Sequence, residues 1–455
     1  MKIRRQGNQL HITRGTDMDY PVLGIGAAVI LLYLAPFVTS WLAAVSVLIC
    51  GYRILRYNAR VFAVDYCMLM PVSTLTKING GVALLIYLCL LAGIIYLFRG
   101  GFRASAPYLI LVLLMNYLFL RMQMNINDFV LCFGQMFVLG VLLPEQDEKS
   151  AERAIKAFCW SLILSSCYAY VLRNTGPLRV VTGTADGNMW GTNVTRFCGL
   201  FSDPNYYSTF LIVAIALLLK LRDGGRIRSL WFVAAVLVLT VFGILTYSKM
   251  FFLMLVMLML VYVVWQYWNK KVFRGIFFTA AAVIALAVVL TMENSPFAVV
   301  LDRLTSARTM KELTTSRSSV LAVYIREITK SIPAFLFGKG LAADALYRDP
   351  HNLYVEIAYY VGVVGLILIL GLYISITAYM VRRTRDFPRQ NFIAKYLVLV
   401  SILGMYLSLQ GMFMLYLYAV LFLGYLSVLL PPKSKPMQPS DGKSGNPVFK
   451  ERKCL

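Results

Sequence analysis

SLWFVAAVLVLTVFGILTYSKMFFLMLVMLMLVYVVWQYW, residues 229–268, decides the fold class. It holds two apolar runs, 229–246 and 250–268, parted by a very short turn that carries Ser248 and Lys249. Crossing the hydrocarbon core of a bilayer takes roughly 20 apolar residues in a helix, with about 17 as the lower limit. Each run meets that length. A helix is the fitting form, because in lipid every backbone amide and carbonyl must be paired within the chain.

The same pattern recurs along the sequence. Working outward, candidate spans fall at 20–36, 38–54, 61–77, 81–98, 106–121, 127–143, 154–173, 205–221, 229–246, 250–268, 273–291, 353–381, 393–410 and 412–430. Pro36 leaves open a single bent element in place of the first pair. Span 61–77 is short and carries Asp65, which leaves open a re-entrant segment. The expected fold is therefore all-α: a polytopic membrane bundle of about 12–14 transmembrane helices.

Composition agrees. Of 455 residues, 59% are hydrophobic and 14% charged, against about 45–50% and about 25% in soluble domains. This excludes an ordinary soluble enzyme, a disordered chain and a disulfide scaffold. The eight cysteines form no CxxC pair, six lie inside apolar runs, and Cys198 has no partner in its loop, so neither a zinc site nor a redox motif is indicated. Residues 1–20 are too polar for a cleavable signal peptide.

The formal net charge is +23. No nucleic-acid motif accompanies it, and nucleic acid is not an expected partner. Most of the 44 lysines and arginines fall in alternate short loops and the two tails, among them Arg56, Arg60, Lys149, Arg153, Arg226, Arg228, Arg382 and Arg383. The positive-inside rule then places both termini in the cytoplasm. The expected layout is a cytoplasmic tail (1–19), an N-terminal transmembrane region (20–173), an extracytoplasmic loop (174–204), a transmembrane core (205–430) containing a large extracytoplasmic loop (292–352), and a disordered cytoplasmic tail (431–455). A loop of about 60 residues is too long for a passive connector. Within it, SRSSVLAVYIREITKSI (316–332) sets Arg317, Val320, Leu321, Tyr324 and Ile328 on one helical face, which predicts an amphipathic helix packed on the membrane domain.

Few residues could carry chemistry. Of two histidines, His11 lies in the N-terminal tail, and solvation accounts for it. His351 stands where the long outer loop meets the next span, in RDPHNLYVEIAYYVGVVGLI. A neutral imidazole there can take a proton from a hydroxyl near neutral pH; the alternative is a helix-start residue that only hydrogen-bonds the interface. In RFCGLFSDPNYYS (196–208), Asp203 followed by Pro204 fits an N-cap and first helical position. Arg196, just before that helix, has no orientational purpose on the outer side. Lys249 sits in an outer turn, where it either snorkels to the interface or meets an anion. Arg317 lies on the apolar side of its helix, so it needs an anionic partner. Convergence of Arg196, Lys249 and Arg317 would suit a diphosphate, because such cations stabilise charge developing on a leaving group. The DMD string at 17–19 is a chance match on the inner side, and NVT at 193–195 carries little weight.

RFCGLFSDPN (196–205), Ser248–Lys249, Ser316–Arg317, FGKG (337–340) and HNLYVEIAYYVGVVGLI (351–367), in that order, resemble the O-antigen polymerase/O-antigen ligase superfamily. The likeness covers about 190–380. It implies a GT-C-like membrane glycosyltransferase that uses a glycan on undecaprenyl diphosphate as donor. It acts on the extracytoplasmic face of the bacterial cytoplasmic membrane, with no cofactor and no metal. By that resemblance, Arg317 holds the donor diphosphate and His351 is the catalytic base on the acceptor hydroxyl. Lys249 stands where the family usually has arginine, keeping the charge but losing the bidentate fork. Arg196 matches the basic position ahead of the helix start, and Asp203, Asn205 and Asn352 support the site. Polymerase, joining repeat units into a surface polysaccharide, is favoured over ligase, which transfers finished glycan to lipid A core or protein. Implied partners are the lipid-linked donor, the glycan acceptor and the bilayer, with room for a chain-length regulator and a flippase. The rival from another class is a transporter or flippase for lipid-linked glycan; the scarcity of ionisable residues within spans argues against ion-coupled transport.

Overall fold

The computed structural model describes residues 2–6, 9–13, 22–77, 83–100, 110, 113–114, 116–117, 138–175, 185–186, 195–201, 203–268, 317–340, 346, 350–385, 392–407, 409 and 415–431. The expected span 273–291, most of 106–121 and 127–143, the loop before 317, the DMD string and the tail from 432 lie outside the described residues.

The architecture is helical. Helices run over α1 (Val22–Leu34), α2 (Trp41–Arg56), α3 (Ala59–Leu69), α4 (Leu84–Gly100), α5 (Glu148–Leu172), α6 (Pro204–Asp223), α7 (Ser229–Leu245), α8 (Lys249–Trp268), α9 (Arg317–Thr329), α10 (Ile332–Phe337), α11 (Leu353–Arg383), α12 (Phe392–Met405) and α13 (Leu415–Val428). Among the described residues two small antiparallel ribbons accompany them: β1 (Lys2–Gln6) with β2 (Gln9–Thr13), which contains His11, and β3 (Ala185–Asp186) with β4 (Thr195–Arg196). Among the described residues, α5, α6 and α11 are long and apolar enough to cross a membrane, and several shorter helices are equally apolar.

Helix α6 is the centre. It is apolar all round, which is how a helix enclosed by others reads, and 94% of its most apolar stretch is buried. α5, α7, α8, α12 and α13 pack around it. Pro36 does not bend one long helix: α1 stops at Leu34, before the proline that cannot donate an amide, and α2 packs back against it. The 61–77 segment runs as α3 and then tightens into a 3-10 turn over Met70–Thr76, with Pro71 near its start.

Asp65 explains its own place. It receives a fork from Arg53 of α2, with Nε to Oδ2 at 2.7 Å and Nη2 to Oδ1 at 2.9 Å, and both side chains are at most 3% exposed. Arg53, next to the end of the expected span 38–54, is thus a buried helix residue. Gly24 of α1 makes room for it, since a Cβ there would stand 2.8 Å from an Arg53 Nη.

Hydrogen bonds gather the loop ends into two groups. At one end, Arg60 meets Asp147 at 2.8 Å and the Glu145 carbonyl at 3.0 Å. Arg226 meets Glu148 at 2.6 Å, Glu152, and the Pro431 carbonyl at 2.9 Å. Arg383 donates to the Pro144 carbonyl at 2.7 Å. This basic end unites the loops whose charges carried the orientation argument. The other end joins Thr74 to the Leu200 carbonyl, Phe197 to Leu245, and Leu353 to Tyr406.

Helix α11 is not continuous. Gly362 has φ 67 and ψ −175, so the helix breaks one third of the way along. The freed carbonyls are taken by the FGKG segment: the Lys339 amide donates to Tyr359 O at 2.8 Å and the Gly340 amide to Tyr360 O at 3.0 Å. Tyr117 Oη donates to Val361 O at 2.6 Å. Backbone polar groups freed at membrane depth must be re-satisfied in this way. Against this crossing lie α9 and α10, with Tyr324 and Ile328 of α9 buried and Tyr324 edge-on to Tyr359, ring centroids 4.8 Å apart. The amphipathic reading of 316–332 holds.

Candidate functional site

The site grows from the start of α6. Asp203 Oδ1 accepts from the Asn205 amide at 2.6 Å and the Tyr206 amide at 3.4 Å, with Pro204 in the first turn. The expected N-cap is therefore present. Below it RFCGLF is packed down by its aromatic residues. Phe197 and Phe201 are buried and both meet the Tyr207 ring, with centroids at 5.6 and 5.4 Å. Gly199 has φ 58, and a Cβ there would press on Tyr207 at 2.9 Å, so the motif needs glycine on both counts.

This packing fixes Arg196. Its Nε donates to the Thr246 carbonyl at 2.9 Å and its Nη2 to Asn205 Oδ1 at 3.3 Å. The same Asn205 oxygen accepts from Ser248 Oγ at 3.0 Å. Ser248 is fully buried, and Lys249 opens α8 half-buried. The structure thus brings Arg196, Asp203, Asn205 and Ser248–Lys249 into one cluster. Cys198, within the same motif, is buried, and burial pushes its thiol up to about 12, so it is not a thiolate nucleophile near neutral pH.

The second group sits around α11. His351 is half-buried two residues before the helix. Asn352 caps it, accepting from the Val355 amide at 3.1 Å and donating to the Leu407 carbonyl at 3.2 Å. Arg317 begins α9, which packs on α11 through Tyr324. Lys339 of FGKG reaches Glu327 of α9 at 3.3 Å, tying the amphipathic helix to the crossing. Arg317 and His351 therefore lie on two elements held to each other.

Backbone strain marks the candidates. Among the described residues, the non-glycine residues with positive φ are Tyr247 (φ 50) and His351 (φ 48). One immediately precedes Ser248–Lys249, and the other is the candidate base. Such conformations cost of order 1–3 kcal/mol each and cluster at working sites. Nothing in the sequence marks Tyr247. Nor does it mark Arg173 at the end of α5, whose guanidinium lies 3.9 Å from the Tyr170 ring centre, itself edge-on to Phe197. No family model, curated protein or solved structure matches the chain.

Proposed function

We propose that this chain is a membrane glycosyltransferase that polymerises oligosaccharide repeat units carried on undecaprenyl diphosphate, at the outer face of a bacterial cytoplasmic membrane. The observation that carries the reading is the coincidence of strain with chemistry: among the described residues, the two left-handed non-glycine residues are His351 and the neighbour of Ser248–Lys249. The packed Arg196–Asn205–Ser248 cluster supports it, as does a helical bundle in which the orienting charges gather at one end.

In this reading the transfer is inverting. His351 takes the proton from an acceptor hydroxyl, whose oxygen attacks the anomeric carbon as the bond to the prenyl diphosphate breaks. Arg317, Lys249 and Arg196 stabilise the departing diphosphate. Asp203, Asn205 and Asn352 act one step back, fixing the helix starts on which the cations and the imidazole ride. The loop arginine and the base come from α9 and the entry to α11, so the Gly338–Gly362 crossing positions both.

The test is reconstitution of the purified protein in liposomes with lipid-linked repeat units. New glycosidic bonds between repeats support the polymerase reading. Movement of unaltered lipid-linked sugar across the bilayer, without bond formation, replaces it with a flippase.

A further inference from the structure

The basic end holds a second feature that the transferase reading does not use. An open cleft of about 440 Å³ is lined by Lys156, Trp160, Arg226, Ile227, Arg228 and Trp231. Trp160 and Trp231 meet edge-on with ring centroids 5.8 Å apart. Beside them Leu230 is 78% exposed and Trp231 53%. Tryptophan with exposed aliphatic surface and basic residues is the composition of a bilayer interface.

Arg226 gives the cleft a fixed wall. Its side chain is 8% exposed, and its terminal nitrogens are held by Glu148 and Glu152. Its Nε is buried with no hydrogen-bond partner. Buried N–H groups almost always have an acceptor. That nitrogen is enclosed, so Arg226 contributes its charge to the cleft wall and not this donor. Next to it α7 begins. Arg228 holds the N-cap position but its side chain caps nothing, so the first-turn amides of this 17-residue helix have no side-chain acceptor from that position. Glu148 and Glu152 face Arg226, and Glu152 also holds Lys156. Arg228 is exposed and adds a cation beyond those pairs.

We propose that this cleft binds the headgroup phosphate of an anionic phospholipid from the adjacent leaflet. The cations of the cleft wall, Arg228 with Lys156 and Arg226, draw the phosphate, and the two tryptophans lie along the glycerol and upper acyl chains. The exposed Leu230 and Trp231 favour a lipid over a free phosphate, which offers them nothing apolar. The proposal stands or falls independently of the glycosyltransferase reading.

The experiment uses the full chain in detergent, titrated with phosphatidylglycerol, phosphatidylcholine or inorganic phosphate and followed by native mass spectrometry. Phosphatidylglycerol is expected to bind in preference to phosphatidylcholine. An interfacial cation contributes on the order of a fivefold affinity change, so Arg228→Gln should lower that preference by roughly fivefold. Arg228 is exposed, so the variant is expected to fold; bromine-labelled phosphatidylglycerol gives a second readout. It should quench tryptophan fluorescence in the wild type and do so less in a Trp160→Phe/Trp231→Phe variant. Equal binding of the two lipids, an unchanged preference in Arg228→Gln, unchanged quenching in the tryptophan variant, or full replacement of the lipid by inorganic phosphate overturns the proposal.

Discussion

Alanine at Gly362 separates a broken α11 from a continuous one. The glycine has φ 67 and ψ −175, a region that essentially only glycine visits. Holding another residue there costs about 1–3 kcal/mol. The new Cβ would also stand 2.3 Å from the Leu336 carbonyl oxygen and 2.5 Å from the Gly338 nitrogen. Both are backbone atoms, which cannot rotate aside as a side chain can. Relief means parting the crossing and losing the bonds from Lys339 and Gly340 to Tyr359 and Tyr360, each worth about 1 kcal/mol net. The total is about 3–5 kcal/mol, much of a typical protein's margin of about 5–15 kcal/mol. Gly371, further along the same helix, is the control: a Cβ there meets nothing within 4 Å, so Gly371→Ala should stabilise by about 0.5–1 kcal/mol. Thermal unfolding in detergent, read by the loss of the monodisperse peak, should move down for Gly362→Ala and not down for Gly371→Ala. Equal stability of Gly362→Ala and wild type would refute the broken helix.

Three further outcomes follow from the same contacts. Arg53→Leu or Asp65→Asn alone should cost about 3–5 kcal/mol, because each strands a buried partner, while the double variant Arg53→Leu/Asp65→Leu should recover much of the loss; a double variant as unstable as the singles contradicts this, read by the same melts. The hydrogen bond from Lys339, with Lys330 nearby, holds the Glu327 carboxyl below its usual range. A depressed folded value means that the stabilisation is complete above the unfolded pKa of about 4.3 and is lost as pH falls through the folded value. Protection of the α9 amides, taken relative to the intrinsic exchange rate at each pH, should therefore fall on acidification below that range, and Glu327→Gln should already show the lower protection at neutral pH without this acid step. Arg317→Lys should be impaired in transfer, since the planar fork is lost while the charge stays; full activity would contradict bidentate diphosphate binding.

What was legible in the sequence was what lies along a single helix. Val320, Tyr324 and Ile328 recur at helical spacing, so α9 and its buried face could be read directly. Asp203–Pro204 carries its cap in two adjacent letters. Contacts between elements were not legible. Asp65 looked like a defect in span 61–77 because its partner Arg53 lies on another helix. Gly362 sits in an apolar run that reads as continuous helix, and only the FGKG backbone against Tyr359 and Tyr360 gives the break its reason. The resemblance pointed to FGKG without saying what it does. The structure gives it a physical task, taking up the carbonyls of a broken helix. Arg196 reads in the sequence only as a cation, and its tie to Thr246 depends on a turn 50 residues away.

The most direct test of the central claim is the amount of polymer made from prenyl-diphosphate-linked repeat units by reconstituted His351→Ala, beside wild type at equal membrane insertion. Loss of the base should lower the rate by about 10²–10⁴ while the protein still inserts. Polymer of wild-type length and yield from His351→Ala would contradict the account.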